Sequence, residues 1–291
     1  MVQGCGTLRL GSLTVTRLGF GTMQLTGPGV WGPPPDHDTA IAVLRRAVDL
    51  GVDLIDTADS YGPFVAEELI REALAPYAEP VHIATKAGYV RPGPDAWVPP
   101  GRPEYLRQEC EMSLRRLGVE RVDLFQLHRI DPTVPAEEQF GVLNDLRNEG
   151  KVAEVGLSEV EVCDVEAALR IVPVASVQNQ YNVAHRSADD LVDFCVGHQI
   201  GFIPWFPLAS GRLVRPDGPL DEVARQLGTT ISQVALAWLL RRSPVMLPIP
   251  GTSSVSHLEE NCAAAAVTLT DEQFSELDRA RRSLRRWALT G

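Results

Sequence analysis

Cysteine is scarce in this sequence and badly placed for cross-linking. The five that occur, Cys5, Cys110, Cys163, Cys195 and Cys262, are odd in number, scattered, and never form a C-x-x-C pair. That excludes a disulfide framework and a cysteine-based zinc site, and it fits a reducing cytoplasm. Basic residues are outnumbered, 27 against 38 acidic, for a formal net charge of -11. A surface of that sign repels phosphate backbones and anionic lipid, so nucleic acid and membrane are excluded as main partners, and an anionic ligand would need a local site. No stretch approaches the roughly 18 uninterrupted apolar residues of a membrane span. No basic, then apolar, then small-residue signal opens the sequence, so the expectation is a soluble, cytoplasmic protein. Internal repeats and low-complexity tracts are also missing.

What is present is the composition of an ordinary globule, 44% hydrophobic and 22% charged over 291 residues, enough to bury a sizeable core. Residues 7–17 alternate as Leu8, Leu10, Leu13 and Val15 about Gly11-Ser12, which predicts a β-hairpin ahead of the main fold, placed to plug one end of a barrel. Short apolar runs follow at Leu18–Gly21, Val52–Asp56, Val81–Thr85, Val122–Leu127, Val152–Leu157, Val174–Gln178, Gly201–Trp205 and Val245–Pro250. Between them lie helical periodicities such as Ile41, Leu44, Val48 and Leu106, Cys110, Leu114, Leu117. Ser187 and Asp271 stand where helix N-caps are expected. Eight strand-like runs alternating with helices predict an α/β fold, a (β/α)8 barrel, with an open doubly wound sheet as the competing arrangement. The expected organisation is one domain over 1–291: a hairpin cap at 7–17, the barrel at 18–265, and an additional C-terminal helix at 270–286. Gly- and Pro-rich breaks at 27–35, 90–103 and 208–220 all follow predicted strands and read as pocket walls, since loops after the strands form the functional face of a barrel.

Gly27-Pro28-Gly29-Val30-Trp31-Gly32 matches G-x-G-x-x-G, but Pro33-Pro34-Pro35 follows it. A dinucleotide fingerprint must open a helix, and three prolines prevent that. The informative stretch is Asp56-Thr57-Ala58-Asp59-Ser60-Tyr61-Gly62, at the end of the second run. Lys86 directly follows the third run and His128 the fourth. An acid, a phenol, an amine and an imidazole therefore converge from three successive strand ends. Protonating a carbonyl oxygen needs an acid near the working pH, whereas a free tyrosine has a pKa of about 10. Lys86 would favour the phenolate, Asp56 would hold Lys86, and His128 would orient the carbonyl. Asp59 reads as structural.

This set, Asp56, Tyr61, Lys86 and His128, resembles the catalytic tetrad of the aldo-keto reductase family, and the resemblance runs from the hairpin through Leu18-Gly19-Phe20-Gly21-Thr22 to the last strand. It implies an NADPH-dependent oxidoreductase that reduces an aldehyde or ketone, a small-molecule substrate, with Tyr61 as proton donor. It also implies a cofactor site on the later strands. Ser158 and Gln178 match the serine and glutamine that hold the nicotinamide carboxamide, while Glu159 replaces the family's asparagine. Trp205 stands at the aromatic position that stacks on nicotinamide, and Phe206, Pro207, Leu208 and Ser210 continue into the loop beside pyrophosphate. Thr252 and Ser253, with Ser254, precede a helix whose exposed N–H groups suit phosphate. Glu260 and Asn261 complete the set, Asn261 at the position that contacts adenine. Gly251 and His257 stand where many members carry the Lys and Arg that select the 2′-phosphate, so NADH is a possible alternative cofactor. Met23, Trp31 and Trp97 are the expected apolar substrate wall. Two other readings compete: a barrel aldolase using Lys86 as a Schiff-base amine, and a non-catalytic nicotinamide-binding sensor or regulatory subunit. The oligomeric state is left open.

Overall fold

The computed structural model describes residues 2–209, 213, 216–281 and 284. Strands β1 (Thr7–Leu10) and β2 (Leu13–Thr16) pair antiparallel as the alternation predicts. Gly11 turns between them at φ +60°, a conformation that costs glycine little. The barrel strands are β3 (Phe20–Gly21), β4 (Leu54–Asp56) and β5 (His82–Ala87). After a short hairpin of β6 (Val90–Gly93) and β7 (Ala96–Val98) come β8 (Val122–Leu127), β9 (Val152–Ser158), β10 (Ser176–Gln180) and β11 (Gly201–Trp205). The seven barrel strands lie parallel in the order β3-β4-β5-β8-β9-β10-β11.

The eighth run is not a regular strand. Pro248 and Pro250 have no N–H to give, so a continuous ladder cannot form there. The segment is instead stitched to both edges of the sheet. The Phe202 N–H donates to Val245 O (2.8 Å), the Leu247 N–H to Phe202 O (2.9 Å), and the Gly19 N–H to Pro248 O (3.0 Å). These bonds join β11 to the entry of β3 and close a (β/α)8 barrel.

The helices are α1 (His37–Asp49), α2 (Val65–Leu74), α3 (Pro103–Leu117), α4 (Ala136–Asn148), α5 (Val162–Leu169) and α6 (Asp189–His198). They continue with α7 (Pro219–Leu227), α8 (Ile231–Arg242), α9 (Val255–Ala263) and α10 (Asp271–Arg279). Leu106, Cys110, Leu114 and Leu117 all face the core, as their spacing predicts; in α1, Val43 and Ala47 are buried beside Ile41 and Leu44, while Val48 is only half-buried. Two caps differ from expectation. Helix α10 is capped by Thr270, whose hydroxyl accepts from the Gln273 N–H, with Asp271 as its first residue; α6 has Ala188 at its N-cap, and the Ser187 hydroxyl bonds His185 instead. The last residues of the helix expected over 270–286 lie outside the described residues, apart from Leu284, which is buried.

Strand alternation divides the core in two. Ile55, Ile83, Phe125, Val155, Val177 and Phe202 point outward and pack under the helices. Leu54, Ala84, Leu124, Ile203 and Leu247 point inward and meet Leu10 and Val15 of the hairpin, which seals the N-terminal end. Two residues further along each strand the inward side chain changes to Asp56, Lys86, Gln126 and Trp205, because side chains on one face recur with period two. The apolar floor thus carries a polar layer at the end where the loops begin.

Candidate active site

At that layer Lys86 is the centre. It is fully buried, and its ammonium donates to Asp56 Oδ2 (2.6 Å), to the Thr57 carbonyl (2.8 Å) and to the Tyr61 hydroxyl (3.4 Å). Neighbouring strands complete the shell of Asp56: its other oxygen accepts from Gln178 Nε2 (2.9 Å) and Gln126 Nε2 (3.1 Å). A buried ion pair is tolerated only when its remaining donors and acceptors are satisfied, and here they are. Burial alone would push the ammonium toward neutrality, but Asp56 and Tyr61 outweigh it and the Lys86 pKa is raised. Lys86 is therefore a cation at neutral pH.

Tyr61 stands on the α2 side of this cation, nine-tenths buried, with the Lys86 ammonium 5.1 Å from its ring centroid. Lys86 pulls its phenol toward ionisation, the direction expected from sequence. Burial pulls harder the other way, and the phenol lies above its ordinary value of 10.0. Its ring meets the His128 imidazole edge to face, 6.0 Å between centroids. His128 Nδ1 lies 3.4 Å from the Ser60 hydroxyl. Burial, and then the charges of Lys86, Arg129 and Arg91, hold that imidazole well below 6.5. It is neutral, so one ring nitrogen carries a proton to donate and the other accepts.

Tyr61, His128 and Asp56 open onto a cavity of about 860 Å³, in the size range of small-molecule and cofactor sites. Its walls bring together Met23, Trp97, Ser158, Gln178, Trp205, Phe206, Pro207, Leu208, Gly251, Thr252, Ser253, His257, Glu260 and Asn261. Trp31 does not reach it. Arg91 holds that region: its guanidinium donates to the carbonyls of Gly29 (2.8 Å), Val30 (2.9 Å), Ser60 (2.9 Å) and Ala96 (2.8 Å), and lies over the Trp97 ring at 3.5 Å and the Trp31 ring at 5.9 Å. Trp31 thus anchors the loop from which the substrate wall was expected. Ser210 lies outside the described residues. Glu159 also stays off the cavity wall; its Oε1 accepts from the Trp205 indole N–H (2.6 Å) and the Gln180 N–H (2.7 Å).

Gln126, Arg129 and Tyr89 are among the residues at the site that were not singled out from sequence. Gln126 shares the inward face with His128 at a spacing of two, which the strand period could have flagged. Arg129, directly after His128, lines the cavity and donates to the Ser158 hydroxyl (3.1 Å). Tyr89, just past β5, stacks edge-on to His128 (4.7 Å) and Trp97 (5.2 Å), giving an aromatic wall beside Tyr61.

The groups on this wall suit a nicotinamide dinucleotide. Trp205 offers a flat ring, Ser158 and Gln178 offer polar atoms beside it, and at the far end Thr252, Ser253 and Ser254 gather at the start of α9, where the Ser254 hydroxyl accepts from the His257 N–H. Buried Asn261 closes that end.

The chain belongs to the aldo/keto reductase family, whose model matches residues 17–282. It is 52% identical over 273 residues to an uncharacterized oxidoreductase of Schizosaccharomyces pombe, covering 94% of this chain and 89% of that protein. It is 46% identical over 279 residues to pyridoxine 4-dehydrogenase of Escherichia coli, covering 94% and 97%. An aldo-keto reductase from Klebsiella pneumoniae, solved in complex with NADPH, superimposes with a TM-score of 0.80 at 27% identity, covering 94% of each chain. Among the described residues no helix is long and apolar enough to cross a membrane.

Proposed function

We propose that this protein, one barrel unit over 1–291, is an NADPH-dependent reductase of aldehydes or ketones in which Tyr61 delivers the proton. One observation carries the reading: Lys86 Nζ bridges Asp56 Oδ2 at 2.6 Å and the Tyr61 hydroxyl at 3.4 Å, with Tyr61 on the cavity wall. Bound in the cavity, the nicotinamide cofactor supplies hydride. Ser158 and Gln178 would hold its carboxamide end, Trp205 would cover one face, and Thr252, Ser253 and Asn261 would hold the phosphates and adenosine.

The protein's own part is to bind, orient and protonate. His128, neutral, donates a hydrogen bond that aims the carbonyl oxygen at Tyr61. As negative charge builds on that oxygen, the Tyr61 proton moves to it, and the Lys86 ammonium stabilises the phenolate left behind. In the reverse direction the same phenolate accepts the proton of an alcohol. A Schiff-base reading of Lys86 is disfavoured by its burial and its three hydrogen-bonded acceptors, which leave no free amine to attack a carbonyl.

The wall formed by Tyr61, Tyr89 and Trp97 favours aromatic aldehydes. The 46% identity to pyridoxine 4-dehydrogenase makes pyridoxal the first substrate to test. The decisive assay is a carbonyl panel that includes pyridoxal, run with NADPH and NADH in parallel. Saturable cofactor oxidation with an aldehyde supports the proposal; cofactor binding with no turnover of any carbonyl in the panel would favour the sensor.

A further inference from the structure

We infer that Glu159 is a positioning residue for the cofactor, acting on it through the indole of Trp205. The inference rests on the reading of Trp205 as the ring that faces nicotinamide. Strand β9 ends at Ser158, whose side chain lines the cavity. The next residue turns the chain at φ +52°, a left-handed conformation that asparagine adopts readily and glutamate seldom does. The Glu159 N–H is fixed to the Gln178 carbonyl (3.0 Å), and its side chain leaves the cavity for the edge of β10 and β11. There a single carboxylate oxygen takes two donors, the Gln180 backbone N–H and the Trp205 indole N–H. Gln180 and Trp205 are register partners across those strands, so one carboxylate ties together the last pair of residues in this part of the sheet.

The consequence for Trp205 follows from its chemistry. An indole has one polar handle, the Nε1–H. With that handle bound and the ring otherwise only partly buried, its rotation is restricted before any ligand arrives, so cofactor binding need not pay for that ordering. The next residue, Phe206, leaves the strand at φ +63°, so Trp205 is the last residue the ladder holds, and the side-chain latch fixes the ring, which the ladder's backbone bonds do not reach. An asparagine side chain at position 159 would be one methylene shorter. Here the direct amide contact of an asparagine is exchanged for control of the stacking ring, and the carboxamide is left to Ser158 and Gln178.

The test is a double-mutant cycle read by calorimetric titration with NADPH, which reports binding independently of turnover. Glu159→Ala should raise the Kd about 5- to 10-fold, the effect of losing one hydrogen bond. Glu159→Gln keeps an acceptor oxygen and should stay within about 2-fold of the unaltered protein. Trp205→Phe keeps a ring but removes the N–H; in that background Glu159→Ala should add less than about 2-fold. Unaltered affinity in the alanine variant overturns the inference, and so does an alanine effect that persists in full when combined with Trp205→Phe. Failure of the unaltered protein to bind NADPH or NADH at all would instead overturn the functional reading on which the latch rests.

Discussion

Gln178 donates its side-chain N–H to Asp56 Oδ1 at 2.9 Å, so a residue on the cavity wall is also part of the shell that holds the buried ion pair. Its amide nitrogen is committed to Asp56, and its carbonyl oxygen is the end left for a ligand N–H. In the proposed complex, cofactor binding and the Lys86–Asp56 pair would therefore be mechanically joined. Gln178→Leu should weaken NADPH binding and slow the chemical step together, each by about tenfold, since the Asp56 carboxylate loses a charge-assisted bond. Titration and single-turnover kinetics separate the two effects; a change in affinity with the chemical step intact would break the proposed link.

Removing the proposed proton donor and removing its cation should fail differently. Tyr61→Phe deletes one hydroxyl from the wall and should lower kcat about 10²- to 10⁴-fold, the worth of a general acid, with NADPH binding retained. Lys86→Met leaves Asp56, 1% exposed, as a buried charge without its counter-ion. That should cost about 3–5 kcal/mol of stability in urea unfolding. A Lys86→Met protein as stable as its parent would mean the pair is less isolated from water than its burial indicates.

Much of this site was legible because barrel geometry turns position along a strand into position in space. Asp56 closes an apolar run, Lys86 and His128 each directly follow one, and Tyr61 follows one within a helix-opening turn, so their convergence needed only the rule that loops after strands share a face. Gln126 escaped because it sits inside an apolar run and reads as an interruption of the core, although it occupies the same inward face as His128. Glu159 could be noticed as unusual but not explained, since its partner Trp205 is 46 residues away and belongs to a strand not adjacent to its own. The eighth strand shows the limit of hydrophobic pattern: Val245–Pro250 has the apolar content of a strand and closes the barrel, but two of its residues lack the N–H that a ladder requires.

The acidity of two buried groups predicts opposed pH trends in stability. His128 has a folded pKa well below 6.5, so its contribution to stability is complete above pH 6.5 and is lost as pH falls toward the folded value. Asp59 is 1% exposed, and burial, then the charges of Glu67 and Glu109, raise its carboxyl well above 3.8, with Arg116 offsetting them only in part. A raised carboxyl favours the folded state below 3.8, and that contribution is lost as pH rises through the folded value. Asp59→Asn should therefore stabilise the protein at pH 8 and lose that advantage at pH 4, as read by urea midpoints. A variant destabilised by the same amount at both pH values would mean the carboxylate makes a bond that an amide cannot replace.

Cofactor selectivity can be rebuilt at only one of the two positions where basic residues are missing. A Cβ at Gly251 would stand 2.6 Å from the Gly21 carbonyl oxygen, where β3 meets the proline-bearing segment that closes the barrel. Backbone against backbone leaves nothing flexible to yield, so Gly251→Lys should destabilise the protein by about 1–3 kcal/mol, as overpacking does. His257 is different: it lines the cavity and is exposed, with room for a longer side chain. His257→Arg adds a permanent charge and a forked donor set beside the end of the groove read as the adenosine site, and should raise the preference for NADPH over NADH about tenfold. The ratio of the two Kd values, measured on both variants, checks the argument: an unchanged ratio in His257→Arg would mean that the 2′-phosphate does not come to this end of the groove.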